Sequence, residues 1–262
     1  MEVAARPWDR IRPVIPVVVG VVAWLLLGSF AHDQRVVGTI FAVTVSFWML
    51  ELMPYAVTAL LSTAALVVFA GVEEKKAFAA YGDPIIPLFI GSFILARAME
   101  HSKLSDRIAW QILGRKWATA SSSMLLLTLG SLTCLISLFV SNTAVTAIFL
   151  PIGLSMLSVI KRPEGSRYPI AIMLMLTWGS SVAVGVPVGT PPNLIAMSMI
   201  ESEAGTKLSF TQWMQFGMPI TVAMVLGSWL VLNAMYGRHK VATADARALA
   251  QENLAGMGRV TA

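Results

Sequence analysis

Two short polar runs interrupt otherwise apolar sequence: Ser141-Asn142-Thr143, and Gly189-Thr190-Pro191-Pro192-Asn193. The first lies within residues 132–150, almost all apolar, and the second within residues 170–200, mostly apolar. At membrane depth, a polar or proline-broken backbone is tolerated only where protein or a water-filled cavity satisfies it. Two such breaks in consecutive hydrophobic segments predict discontinuous helices that frame an ion and solute site near the bilayer midplane.

Composition supports a membrane setting. The chain has 262 residues, 56% hydrophobic and 13% charged, and a mean hydropathy of +0.74. A soluble domain carries roughly 25% charged residues. Apolar runs near the length that spans a hydrocarbon core of about 30 Å recur along the chain. Cys134 is the one cysteine; it excludes an intramolecular disulfide and reads as a small buried side chain. Arg6, Arg10 and Arg12 before the apolar run 14–27 resemble a signal peptide, but the chain that follows is itself built of membrane segments. The stretch therefore reads as an uncleaved first helix.

Six membrane segments are expected, at about 13–30, 36–53, 55–70, 84–100, 169–200 and 210–236. His32 to Arg35 reads as a polar turn, Pro54 and Gly71 as helix stops. Asp83 reads as an N-cap with Pro84 at the first helical position. Residues 101–117 place Leu104, Ile108 and Ile112 near one face, with Lys103, Arg107, Arg115 and Lys116 elsewhere and Trp110 and Trp117 among them. That pattern predicts a helix lying in the membrane interface. Residues 121–160 read as a helical hairpin with its tip at Ser141 to Thr143. Each arm has about 15 to 17 residues, or roughly 25 Å, so a re-entrant hairpin fits better than two full crossings. The 169–200 segment breaks across 185–193. Residues after Arg238 read as a linker or a weak surface helix.

Basic residues orient this arrangement. With the N-terminus inside, fourteen of the nineteen Lys and Arg fall on the cytoplasmic side, in the N-terminus, 103–116, 161–167 and the tail. Arg35, Lys75, Lys76 and Lys207 fall outside, and Arg97 snorkels. The positive-inside rule is satisfied with both termini cytoplasmic, and it needs the hairpin to enter and leave on one side. A multi-pass protein of the cell (inner) membrane is the expected class. The organisation reads as residues 1–117 (scaffold helices and the interfacial helix), 118–236 (a transport region) and 237–262 (a polar tail).

The chain resembles the divalent anion/sodium symporter family. The resemblance is carried by Phe47-Trp48-Met49-Leu50-Glu51-Leu52-Met53-Pro54 with Val57 to Leu61, by Asp83-Pro84-Ile85-Ile86 with Leu88 to Ala96, by Ser141-Asn142-Thr143-Ala144, and by Gly189-Thr190-Pro191-Pro192-Asn193. It covers about residues 14–236. It implies an all-α membrane fold with one repeat of an inverted-repeat transporter, the N-terminal half of a chain about twice as long. It implies sodium-coupled symport of divalent anions such as C4-dicarboxylates, citrate or sulfate. The implied sodium ligands are side-chain oxygens of Ser141 and Asn142 with backbone carbonyls of Ser137 and Gly189. The implied substrate residues are Ser141, Asn142, Thr143, Thr190 and Pro191.

The residues agree with that chemistry. Sodium is a hard cation that suits oxygen ligands, and unwound backbone supplies carbonyls without formal charge. Asn142 and Thr143 open the hairpin's second arm, whose positive dipole end suits a carboxylate or sulfate. Glu51, three residues before Pro54, reads as structural, and Trp48, Trp110, Trp117, Trp213 and Trp229 as packing or interface residues. No CxxC, HExxH, Walker or GxSxG pattern occurs, so an enzyme is not expected, nor a nucleic-acid partner. The expected partners are the anion, the lipid bilayer, and either a second copy through the scaffold helices or a second half-transporter chain. Two alternatives compete: a non-transporting fragment or subunit, and a related-fold proton antiporter or arsenite-type permease. The latter favours an Asp, Glu or His deep in a helix, whereas Glu51 and Asp83 are peripheral.

Overall fold

The computed structural model describes residues 11–82, 85–236 and 243–258; the Asp83-Pro84 cap lies outside them. Every regular element among these residues is helical. The chain forms two compact units, Met1–Asp83 and Pro84–Ala262.

In the first unit, α1 (Ile15–Leu26) is extended by 3-10 turns at Arg12–Val14 and Leu27–Ser29. It packs on α2 (His32–Leu50), which packs on α3 (Tyr55–Ala70), followed by the short α4 (Glu74–Ala79). The predicted turn at His32 to Arg35 is instead the first turn of α2. Arg35 explains the difference: its Nε donates to the Trp24 carbonyl at 2.7 Å, and its guanidinium lies 4.0 Å from the centre of the Trp24 ring. Arg35, and His32 edge-on to the same ring, thus have a partner on α1 and need no loop. Glu51 ends α2 in the left-handed conformation, φ 49°, which fits a structural role. Met49 is 80% exposed and Leu26 75%, and Val17, Leu25, Phe41, Val68 and Phe69 are also bare. Apolar exposure on this scale marks a surface that meets lipid or protein rather than water.

The second unit holds α5 (Ile85–His101), α6 (Leu104–Leu113), α7 (Ser122–Ser137), α8 (Asn142–Val159), α9 (Tyr168–Ser181), α10 (Pro191–Ala204), α11 (Phe210–Tyr236) and α12 (Ala244–Gly256). Its core lies where α9 packs on α7, α8 and α11, around Leu125, Leu129, Phe149, Met156, Ile172 and Met175, all buried. Glycine permits the closest seam. A Cβ on Gly179 would stand 2.7 Å from the Gly130 carbonyl oxygen and 3.1 Å from its Cα. The α7 and α9 backbones therefore touch, the packing that small residues allow between membrane helices.

Arg12–Ser29, Asn142–Val159 and Phe210–Tyr236 are long and apolar enough to cross a membrane, and Tyr55–Ala70 and Ser122–Ser137 are shorter apolar helices. The protein is an all-helical membrane protein. The residues of α6 that the unit buries are Ser105, Ala109, Trp110 and Leu113, a face distinct from the Leu104, Ile108 and Ile112 stripe expected to lie in the interface. Leu104 is exposed and Trp110 buried, because α12 packs on α6 and takes Ala246 and Ala250 into the shared core. Of the two readings of the tail, linker or weak surface helix, residues 244–256 take the helical one, and the helix is docked.

Candidate functional site

Two helix pairs are interrupted in the second unit. Between α7 and α8 lies the tip, residues 138–141. Between α9 and α10 lies a break, residues 182–190, containing a 3-10 turn at Pro187–Gly189. Proline explains the break. Residues before proline are pushed out of the helical region, and Val186 (φ −118°, ψ 139°) and Thr190 (φ −152°, ψ 140°) are both extended. Pro191 and Pro192 then open α10, at positions where a missing N–H costs nothing.

The protein satisfies the opened backbone. The Asn193 side-chain amide donates to the Val184 carbonyl at 3.1 Å and the Val186 carbonyl at 3.0 Å. The Trp213 indole, from α11, donates to Val184 at 3.0 Å. Gly217 of α11 abuts the break: a Cβ there would meet the Gly185 oxygen at 3.1 Å.

The tip is ordered by its own side chains. Ser137, fully buried, donates through Oγ to Asn142 Oδ1 at 2.7 Å. Ser141 caps α8 and accepts from the Ala144 N–H at 3.3 Å. Tip and break meet: a Cβ on Gly189 would stand 2.5 Å from the Ala183 carbonyl oxygen and 3.3 Å from that of Leu138. One turn further along, Thr146 and Ser180 share a hydrogen bond of 2.8 Å between their hydroxyls.

These contacts place the expected residues. Ser137 and Gly189 are buried, Asn142 and Thr190 half-buried, and Ser141, Thr143 and Pro191 exposed. Ser137 and Asn142 are in direct contact, and Gly189 lies against the residue that follows Ser137. Thr143 and Pro191 stand on the first turns of α8 and α10. Asn193, Trp213, Thr146 and Ser180 hold the arrangement and carry no sequence signal of their own beyond the Asn193 motif position.

No ionisable side chain occurs within 137–146 or 177–193. Charge at the crossing therefore comes from helix ends: α7 and α9 bring carbonyl ends, α8 and α10 bring amino ends. Carbonyl ends favour a cation and amino ends an anion. Among the described residues no three His, Cys, Asp or Glu cluster, so the donors at the crossing are neutral oxygens, which suit a hard monovalent ion rather than a transition metal.

The fold and this crossing define a helical membrane protein organised around two interrupted helices. The chain belongs to the citrate transporter family, whose model matches residues 45–254. The family is one of transporters and not of enzymes. The sodium-dependent dicarboxylate transporter SdcS of Staphylococcus saprophyticus is 32% identical over 207 residues, 76% of this chain and 40% of that protein. The protein of the same name from Staphylococcus aureus is 30% identical over 241 residues, 86% of this chain and 46% of that protein. The chain thus spans less than half the length of these curated relatives.

Proposed function

We propose that this chain forms the first half of a sodium-coupled symporter of divalent anions, with dicarboxylates the leading class and citrate and sulfate as the other members. Ser141 and Asn142 side-chain oxygens and the Ser137 and Gly189 carbonyls hold sodium. Ser141, Asn142, Thr143, Thr190 and Pro191 face the anion. The observation that carries this reading is the meeting of tip and break at Leu138 and Gly189. It gathers carbonyls from two helix ends around a buried serine and its half-buried asparagine partner, with no formal charge nearby. The sodium dependence and dicarboxylate specificity in the relatives' names support it.

In this reading the α7–α8 hairpin is re-entrant, six other segments cross the membrane, and both termini are cytoplasmic. Residues 118–236 are the transport region, 1–117 the scaffold through which copies or a second half associate, and 237–262 the tail. Single cysteines at Ser166 and Ser202 then label from opposite faces of the membrane. Labelling from the same face removes the broken segment 169–200 from the topology.

A single repeat supplies half of the anion site, because its inverted partner completes it across the midplane. Proteoliposomes holding the 262-residue chain alone are expected to show no sodium-dependent uptake of succinate, citrate or sulfate, whereas an assembly with the second repeat shows it. Uptake by the chain alone overturns the half-site; no sodium dependence in the complete assembly overturns the symport.

A further inference from the structure

One end of the second unit is polar and level. The Tyr168 hydroxyl, at the start of α9, donates to the Ser122 carbonyl at the start of α7, at 2.6 Å. The Trp229 indole donates to the Ser123 carbonyl at 3.0 Å. Thr243, preceding α12, donates to the Thr119 carbonyl at 2.7 Å. Apolar helices α7, α9 and α11 are thus tied together at one polar end, which in the proposed topology lies where hydrocarbon gives way to headgroups. Trp117, 55% exposed, stands just before it, as amphipathic rings do at that depth.

Beside Trp117 opens a cleft of about 660 Å³ between the end of α6 and α12. Arg115, Lys116 and Arg247 line it, and among the described residues no carboxylate does. None of the three belongs to an ion pair among the described residues. Arg247 Nε donates to the Gly114 carbonyl at 3.2 Å, and the Gln251 amide to the same oxygen at 3.4 Å. That anchor fixes the guanidinium at the cleft wall. The terminal nitrogens of Arg247 have no partner among the described residues. The neighbouring cleft on the other side of α6 differs. There Arg107 is spent on the Met257 and Gly258 carbonyls, and Asp106 offsets Lys103.

We propose that the Arg115–Lys116–Arg247 cleft binds the phosphate of an anionic phospholipid headgroup. Three unpaired cations around a cleft repel one another, and a phosphate removes that repulsion. Guanidinium meets phosphate through parallel N–H bonds. The position at the hydrocarbon boundary favours a lipid phosphate over a soluble one, and clusters of basic residues there read as anionic-lipid sites.

Native mass spectrometry of the detergent-purified chain tests this with phosphatidylglycerol, phosphatidylcholine and inorganic phosphate as probes. The first phosphatidylglycerol is expected to bind about tenfold or more tightly than phosphatidylcholine. Each cation near an anionic headgroup contributes roughly fivefold, so Arg115→Gln with Lys116→Gln should weaken it by tenfold or more. Neither side chain makes a hydrogen bond that holds the fold. Lys161→Gln, which removes a cation already paired with Asp245 at 3.5 Å, should leave it unchanged. Equal binding of the two lipids overturns the proposal. So does an equal loss with Lys161→Gln, which means diffuse surface charge, or displacement of the lipid by millimolar inorganic phosphate, which means a soluble-anion site.

Discussion

Gly189→Ala is expected to cut sodium-dependent uptake by the complete transporter at limiting sodium while leaving the protein folded and inserted. Gly189 is not a glycine for the sake of a left-handed turn; it sits in a 3-10 turn with ordinary backbone angles. It is a glycine because two main-chain oxygens crowd its missing side chain, that of Ala183 at 2.5 Å and that of Leu138 at 3.3 Å from a Cβ. Both neighbours are backbone, so neither yields by changing rotamer. Crowding of this kind costs about 1–3 kcal/mol, and relief comes from shifting residue 189 off the Ala183 oxygen within the break and away from Leu138 of the tip. A shift there changes the spacing of the carbonyls that are to hold sodium. Since 1.4 kcal/mol is tenfold, uptake at limiting sodium should fall by about tenfold or more, with recovery at high sodium. Gly227→Ala is the control: its Cβ meets open space, and the change should be neutral. Normal sodium activation in Gly189→Ala would reject the contact between tip and break as part of the ion site.

Asn142→Ala should be as severe by a different route. It removes one of the oxygens assigned to sodium and leaves the fully buried Ser137 hydroxyl with only the long 3.4 Å contact to the Val140 carbonyl in place of its 2.7 Å acceptor. Weakening a buried hydrogen bond in this way costs up to about 1–3 kcal/mol, so the tip should also loosen. The expected result in a reconstituted full-length assembly is loss of sodium-dependent uptake. Asn142→Asp, which keeps the oxygens, should retain part of it. Ser141→Ala should do less harm to the fold, at about 1 kcal/mol for a lost cap. Uptake unchanged in Asn142→Ala would sink the assignment of the tip.

Much of the helical layout was legible because its signals are local. Pro54 and Gly71 bound α3 where the sequence predicts it, and α11 follows the apolar run 210–236. The tip and the break announce themselves through Ser-Asn-Thr and the prolines at 187, 191 and 192. What stayed hidden depends on partners distant in sequence. The first turn of α2 exists because Arg35 finds Trp24. The buried face of α6 is chosen by α12, whose alanines give no sign of a docking partner until they pack. The approach of Leu138 to Gly189 cannot be read from either stretch alone, and neither can the brace of Asn193 and Trp213 on Val184.

The seam between Gly130 and Gly179 sets where this molecule can bend. Main chain meets main chain there, and the Met175 side chain against Gly130 and the Thr133 side chain against Gly179 fill the space beside the contact, so α7 and α9 behave as one stiff beam. Ser137 lies two turns beyond Gly130 and Ser181 half a turn beyond Gly179, so both interrupted helices leave that beam from a common frame. Any change in the distance between tip and break must then be made by the short linkers 138–141 and 182–190, not by sliding the helices. In hydrogen exchange, the amides flanking Gly130 and Gly179 should be among the last to open, and those of the two linkers among the first to respond to the ion.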